Sequence, residues 1–486
     1  MSILQRRDFF QRVAGGLCGA ALAHLGVCDG FAETPEPDRG NSSPALPVRY
    51  DLTAKTPPHF GRARSVIHLF MNGGPSQMDL FDPKEALEKH HGEPHFDKIA
   101  GEVEFPMAAG ALMRSMFKFA QHGQSGMWVS SAMPHLARQV DEIAMLRGMY
   151  TTNLTHEPAI FKVHSGQEVT GHPSIGSWVT YGLGTENQNL PAYIVLDDPK
   201  GLPINKTQSW SSGYLPPLYQ GTRFRSTGSP VLNLKPDYEE PAAITAHERA
   251  ILRRIDRHHL EKNPRNPQLE ARIESYELAA RMQLAASDAV ELSGETASTL
   301  EMYGIGKEPT DSYGRRCLFA RRLVERGVRF VQLFIDGQIW DNHTGLADGL
   351  KSACDRTDLP IAGLLADLKQ RGLLESTLVV WGGEFGRLPI AQLPDDKDEK
   401  KAGRDHNKNA MVSWMAGGGV KGGVTYGVTD EFGFAAVADR VSVPDWHATL
   451  LHLLGLEHEN LFFLRNGLKN RLTGVNEARV VSEVLA

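Results

Sequence analysis

The chain has 486 residues, 41% of them hydrophobic and 23% charged, with a formal net charge of −6. That is enough apolar material for a large buried core and excludes disorder as the default state, while 48 glycines and 28 prolines favour a loop-rich globular enzyme over a helical bundle or coiled coil. Mild acidity without a Lys/Arg-dense face excludes a dedicated nucleic-acid binder, which needs a basic footprint to neutralise phosphates.

The first 32 residues hold the three parts of an export signal. Arg6-Arg7 stands before Asp8 and Phe9, a small-residue apolar run follows from Val13 to Val27, and Gly30-Phe31-Ala32 forms the exit. The run is about 15 residues, short of the roughly 20 that cross a bilayer as a helix, so no stable membrane anchor is expected after cleavage at Ala32. The Arg-Arg pair before a weakly apolar segment resembles a twin-arginine signal, the route of proteins exported already folded, and implies a periplasmic or other extracytoplasmic location. Cys317 and Cys354 then remain, too few for a disulfide framework or a thiolate metal site. Residues 33–60, rich in Pro, Ser and Asp without periodicity, read as a linker, and 61–486 as one domain.

Ser65–Met71 is a short apolar run closed by Asn72-Gly73-Gly74-Pro75, the pattern of a buried strand that ends in a turn. Leu136, Val140, Ile143 and Leu146 give Pro134–Leu146 helical spacing, and Tyr193–Leu196 is a second buried strand. Residues 240–290 form a charged stretch with helical spacing and no strand signal, a helical insertion or cap. Cys317–Glu325 reads as a helix stopped by Gly327, and Arg329–Ile335 as a strand. Asp358 is placed to N-cap a helix whose Ile361, Leu364, Leu365 and Leu368 share one face. Thr377–Trp381 is a strand ended by Gly382-Gly383, and 411–415 is another. Gly417-Gly418-Gly419 beyond it reads as a tight turn, because no helix with Lys-Ser/Thr follows as a phosphate loop needs. Strands alternating with helices imply an α/β fold with a mainly parallel sheet.

In such sheets ligands bind beyond the C-terminal strand ends. The residues there are polar: Asn72, Ser76 and Asp79 after the first strand; Asp336, Asp341 and His343 after 329–335; Glu384 after 377–381; and Asp405, His406 and Asn407 before 411–415. The segment Thr151–Pro158 adds Asn153 and His156. Carboxylates and imidazoles meeting from separate strand ends are the donor set of a divalent ion, with Zn, Mn, Mg and Ca each suited to a different mixture. Asp341, His343, Glu384, Asp405 and His406 are therefore candidate ligands. His447, within Pro444–Gly455, is assigned to packing in preference to ligation.

The strings Val66–Lys84, Pro173–Gly184, Arg321–Val331, Trp381–Arg387 and Gly403–Asn407 closely resemble the exported bacterial family called "domain of unknown function 1501", from about residue 44 to the C-terminus. That family is grouped with the alkaline phosphatase and sulfatase superfamily. The resemblance implies an alkaline phosphatase-like α/β sandwich, its central sheet flanked by helices, with a helical insertion. It also implies a divalent metal cofactor and an anionic ester, such as a sulfated carbohydrate, as substrate. Glu384 falls where the superfamily has a metal-binding Asp, His406 where it has a late His, and Asn72 where it has its first metal-binding Asp. At the nucleophile position of sulfatases, a Cys-x-Pro-x-Arg string, this chain has His156-Glu157-Pro158. The expected attacker is then a metal-activated water, with His156 and Asn153 as candidate catalytic groups and His156 alternatively a further ligand or a covalent nucleophile. The contrasting expectation is a catalytically degenerate relative that binds sulfated or phosphorylated glycans or a surface partner.

Overall fold

A computed structural model describes residues 50–231, 241–263 and 266–486. The export-signal reading over 1–32 and most of the linker reading lie outside the described residues. The part of the linker that is described, 50–60, runs along the domain: Thr53 bridges Thr185, and the Lys55 and His59 N–H groups donate to the carbonyls of Leu183 and Gly455.

The fold is built on β1 (Ser65–Phe70), β2 (Ile143–Tyr150), α1 (His156–Ser165), α2 (Ile175–Leu183), β3 (Tyr193–Leu196) and β4 (Thr222–Phe224). It continues with α3 (Ala242–Lys262), α4 (Pro267–Val290), α5 (Asp311–Glu325), β5 (Phe330–Phe334), α6 (Leu346–Gln370) and β6 (Thr377–Gly382). β7 (Met411–Ala416), β8 (Val424–Tyr426), β9 (Val441–Ser442) and α7 (Val443–Leu453) complete it. These strands form a nine-stranded sheet in the order β8-β2-β7-β6-β1-β5-β3-β4, with β9 also on β2. Every pairing is parallel except the two made by β7, which runs against both β2 and β6. β1 lies in the middle, flanked by β5 and β6, and its six residues are all buried.

Burial on both faces explains why these strands read as continuous apolar runs. Side chains alternate across the sheet, so each face has its own core. Ile67, Leu69, Val331, Leu333, Val379 and Trp381 pack under α5 and α6. Val66, Phe70, Phe330, Phe334, Leu378 and Val380 pack under α1, α2 and α7, against Val163, Trp178 and Trp446. The result is a three-layer α/β/α architecture, as the alternation of elements implies.

Two expectations change. Pro134–Leu146 is not one helix: Leu136–Glu142 is a 3₁₀ turn, and Ile143 begins β2, so apolar residues at helical spacing here belong to two elements that share a core. Asp358 does not start a helix, because α6 runs through it and through Pro360. Its carboxylate instead accepts from the backbone N–H groups of His135 and Leu136, at 2.8 and 2.7 Å, and caps the 3₁₀ turn from outside. The 240–290 stretch is helical, as expected, and forms two long helices, α3 and α4. Gly417 to Gly419 is the tight turn expected: all three have positive φ, and a Cβ on Gly417 would meet the Leu374 carbonyl oxygen at 2.3 Å.

Candidate metal centre

The loops beyond β1, β5 and β6 are tied together by hydrogen bonds before any ligand is considered. Gly73 adopts φ +111°, and a Cβ there would lie 2.5 Å from the Asp341 backbone nitrogen, so only glycine lets this turn nest against the β5 loop. Its N–H donates to Glu384 Oε1 at 2.9 Å. Asn72 Nδ2 donates to the carbonyls of Ile335, at 2.6 Å, and Gly337. The fully buried Arg387 donates to the carbonyls of Gly73, Gly74 and Arg404 and, at 2.7 Å, to Asp341 Oδ1. One guanidinium thus joins three loops. A second, Arg404, pairs with fully buried Asp79 at 2.7 Å and donates to the Pro389 and Met113 carbonyls. Buried charges this well supplied with acceptors hold geometry, and removing one strands its partner.

Three imidazoles converge on this scaffold. His156 opens α1, whose entry is set by Asn153 Oδ1 accepting from the Thr155 N–H at 2.9 Å. His343 follows β5 by way of Asp341. His406 lies opposite Arg387 in a two-residue antiparallel bridge, Gly386–Arg387 with His406–Asn407. The Nε2 atoms of His343 and His406 stand 3.0 and 3.3 Å from Asp341 Oδ1, and that of His156 stands 3.2 Å from Asp341 Oδ2. Ligand atoms of His156, Asp341, His343 and His406 all lie within 4.8 Å of one another.

Each ring has its other nitrogen engaged from behind. His156 Nδ1 is 2.7 Å from Glu384 Oε1, His343 Nδ1 is 2.5 Å from Gln392 Oε1, and His406 Nδ1 is 2.5 Å from Glu104 Oε2. All three partners are acceptors, so each Nδ1 carries the hydrogen and, in the neutral ring, each Nε2 offers its lone pair forward. That is how metal-binding imidazoles are oriented. Phe385 lies beneath His156 and His406, with ring centroids 4.8 and 4.4 Å apart. The side chain of His406 is only 3% exposed, whereas Asp341 at 18% and His343 at 25% face solvent, so the cluster opens on one side.

The electrostatics fit a cation. Burial pulls the His156 pKa down, but the Asp341 and Glu384 carboxylates more than offset it, to about 9. Burial likewise acts to raise the Asp341 carboxyl, yet the three imidazoles that face it and nearby Arg387 hold it far below the carboxylate range. With no ion, positive charge is drawn to this point by protonating a ring. Three neutral nitrogens and one carboxylate form a donor set suited to a borderline ion such as Zn more than to Ca or Mg, which prefer oxygen.

The candidate residues therefore divide. Asp341, His343 and His406 meet as expected. His156 joins them as a fourth donor, the alternative to a catalytic role. Glu384 lies outside the group of four: its Oε1 is taken by the Gly73 N–H and His156 Nδ1, behind the ring, and its buried Oε2 has no hydrogen-bond partner. Asp405 also turns away, with its two oxygens accepting from the N–H groups of Phe105 at 2.8 Å and His406 at 2.7 Å. Asp405 does make a second ligand-like group with Glu104 and His406. Asn72 stands outside the group of four, its Nδ2 on carbonyls and its buried Oδ1 without a hydrogen-bond partner, and Asn153 shapes the entry to α1 and touches Glu168 at 3.2 Å. His447 packs, with Nε2 on the Val163 carbonyl at 2.7 Å. Glu104, Gln392 and Arg387 were not anticipated. Arg387 ends the string Trp381–Arg387, where a signal existed; Glu104 lies in a loop and Gln392 ends the short strand Ile390–Gln392, neither with a signal of its own.

No curated protein matches the chain. Solved structures that it resembles include the lipoteichoic acid synthase LtaP from Listeria monocytogenes, at 11% identity and TM-score 0.33, covering 84% of this chain and 76% of that one. The PsFucS1 sulfatase from Pseudoalteromonas sp. gives 13% identity and TM-score 0.34 over 81% and 68% of the two chains. The alkaline phosphatase from the Antarctic bacterium TAB5 gives 12% and 0.29 over 82% and 99%. Likenesses at this level carry nothing about the reaction. Residues 63–485 match a family model over most of the chain, and the protein belongs to that family, described as "Protein of unknown function (DUF1501)".

Proposed function

We propose that the chain is an exported, metal-dependent hydrolase of sulfate or phosphate esters, with the ion held by His156, His343, His406 and Asp341. The observation that carries the reading is the convergence of three Nε2 atoms on one carboxylate, each ring fixed from behind by Glu384, Gln392 or Glu104. A bound ion would polarise the ester oxygen and lower the pKa of an attacking water. Arg387 anchors Asp341 through Oδ1, the oxygen that also faces His343 and His406, while Oδ2 faces His156. Asp341 and His343 are partly exposed, and an anionic ester, of which a sulfated carbohydrate is one form, would approach from their side. Export through the twin-arginine route is part of this reading, supported by Arg6-Arg7, and an Arg6→Lys/Arg7→Lys chain that still leaves the cytoplasm would remove it.

The test is turnover of aryl sulfates, aryl phosphates and phosphodiesters by the purified protein supplied with Zn, Mn, Mg or Ca in turn. Turnover that a chelator abolishes and one ion restores supports the hydrolase; absence of any turnover contradicts it. A second reading, a non-catalytic relative that binds anionic glycans or a surface partner, is favoured by one observation: four protein donors can fill a tetrahedron and leave no place for water. It predicts ion-dependent binding of a sulfated glycan with no release of sulfate.

A further inference from the structure

Glu104 and Asp405, set behind and beside His406, both hold one segment of chain. Glu104 faces His406 Nδ1, and the N–H of the next residue, Phe105, donates to Asp405 Oδ2 at 2.8 Å. Val103, just before them, is anchored in a small core with Ile99, Leu112 and Ile390. On the other side Lys397 Nζ donates to the Met107 carbonyl at 3.1 Å. The backbone from Val103 to Met107 is thus pinned along its length, yet what it presents to solvent is apolar. Phe105 is 44% and Met107 92% exposed, with exposed Pro106 between them. Three consecutive apolar side chains in water are a packing fault unless they have a use.

Their position supplies the use. The Phe105 ring meets the His343 ring edge to face, with centroids 5.2 Å apart and planes at 81°. His343 and Asp341 are the more exposed members of the group of four. An anionic ester approaching from their side brings the group that it carries beside His343, where Phe105 stands. Phe, Pro and Met offer a π face, C–H bonds and a polarisable sulfur, but no hydrogen-bond donor. Such a surface recognises the flat face of a ring and is indifferent to a pattern of hydroxyls. An inorganic anion has no face to lay on it, whereas a pyranose presents axial C–H bonds and an aryl group its π system. A few ionic groups that fix the anion, beside an aromatic wall that takes the rest, is the usual division of labour in a small-molecule site.

We infer that Phe105 is a specificity-determining contact of this site, stacking on a six-membered ring, pyranose or aryl, that the ester oxygen carries, with Met107 extending the surface. Glu104 and Asp405 are positioning residues that fix the segment beside His343. The inference rests on the ester-hydrolase reading for what the site binds, and it narrows the substrate to esters of ring alcohols or phenols, against simple alkyl esters.

The test is titration calorimetry of the full chain, supplied with Zn, against methylphosphonate, phenylphosphonate and a pyranosyl methylphosphonate, whose carbon–phosphorus bonds do not hydrolyse, and against the corresponding sulfonates. The wild type is compared with Phe105→Ala and Phe105→Tyr. The expected result is that the wild type binds one ring compound about tenfold more tightly than the methyl compound, the scale of an aromatic contact. Phe105→Ala should lose that difference while keeping its metal content and its affinity for the methyl compound, and Phe105→Tyr should restore it. Whichever ring is preferred, pyranose or phenyl, identifies the source. Three outcomes overturn the inference: no preference for a ring in the wild type, an undiminished preference in Phe105→Ala, or a loss of bound metal in Phe105→Ala, which would make the ring a support for His343. Failure of the hydrolase reading looks different, as ring-dependent binding of these compounds with no turnover of the matching esters.

Discussion

The metal centre and α3 invert the ordinary distribution of side chains in opposite directions. At the centre, charged groups are buried: Arg387, Arg404, Asp79 and Glu384 have almost no solvent exposure. On α3, Ile244, Ile251 and Ile255 stand in water, 49%, 47% and 52% exposed. Polar burial is tolerable at the centre because nearly every donor has an acceptor within reach, and apolar exposure on α3 is limited to one stripe of one helix. The contrast separates two kinds of exception. One is built from outer partners that hold inner residues in place, and the other from the lack of a partner.

If the centre is a mutually supporting network, disturbing it should cost far more than disturbing α3. The largest effect is expected for Arg387→Ala, which leaves Asp341 and the carbonyls of Gly73, Gly74 and Arg404 without their donor; about 3–5 kcal/mol of stability should be lost in denaturant unfolding. A loss below about 1 kcal/mol would break the comparison.

Acid comes next. His164 is buried with its pKa depressed to about 4, and His447 to about 3, in both cases mainly by burial. A depressed histidine contributes stability above its unfolded pKa of 6.5 and loses it as pH falls toward the folded value. His164 alone should account for about 3 kcal/mol lost between pH 6.5 and 4. Replacing His164 by Asn should flatten that part of the pH–stability curve, and an unchanged slope would contradict the assignment.

Smaller still is Glu104→Gln, which keeps an acceptor behind His406 but removes the charge. Ion affinity should fall about 10- to 100-fold, about 1.4–2.7 kcal/mol, with little change in melting temperature, as titration with a competing chelator would show. The raised pKa of His156 adds a sign to the same measurement. Its proton stabilises the ion-free protein below pH 6.5, a contribution lost as pH rises through about 9. An ion must displace that proton, so ion affinity should climb by up to about tenfold per pH unit, about 1.4 kcal/mol, across that window. An affinity independent of pH would show that His156 is not a ligand. The smallest effect belongs to α3: Ile255→Ser should change stability by less than about 0.5 kcal/mol. A larger loss would mean that the stripe packs inside the domain.

Much of the fold was legible because strands buried on both faces leave uninterrupted apolar runs, as in Ser65–Phe70 and Thr377–Gly382. Legibility failed where tertiary contacts override local pattern. Asp358 looks like a helix cap from its neighbours, yet it caps a turn more than 200 positions earlier in the chain. Strand ends made Asp341, His343 and His406 readable, since a sheet brings the loops after adjacent strands together. The direction in which a side chain faces was not readable. Glu384 and Asp405 have the chemistry of ligands, but backbone N–H groups take both oxygens of Asp405, the Gly73 N–H and His156 take one oxygen of Glu384, and only the folded register of the Gly73 turn and of Arg387 with His406 decides that. Glu104 acts from a loop and Gln392 from a three-residue strand, Ile390–Gln392, too short to leave a pattern in the sequence.

The central claim is that these four donors hold one divalent ion, and elemental analysis of the purified full chain tests it most directly. The account predicts close to one equivalent of a single transition-type divalent metal, Zn foremost, falling to near zero in His343→Ala and His406→Ala. A wild type with no stoichiometric metal after incubation with each ion, or variants with undiminished metal, would contradict it.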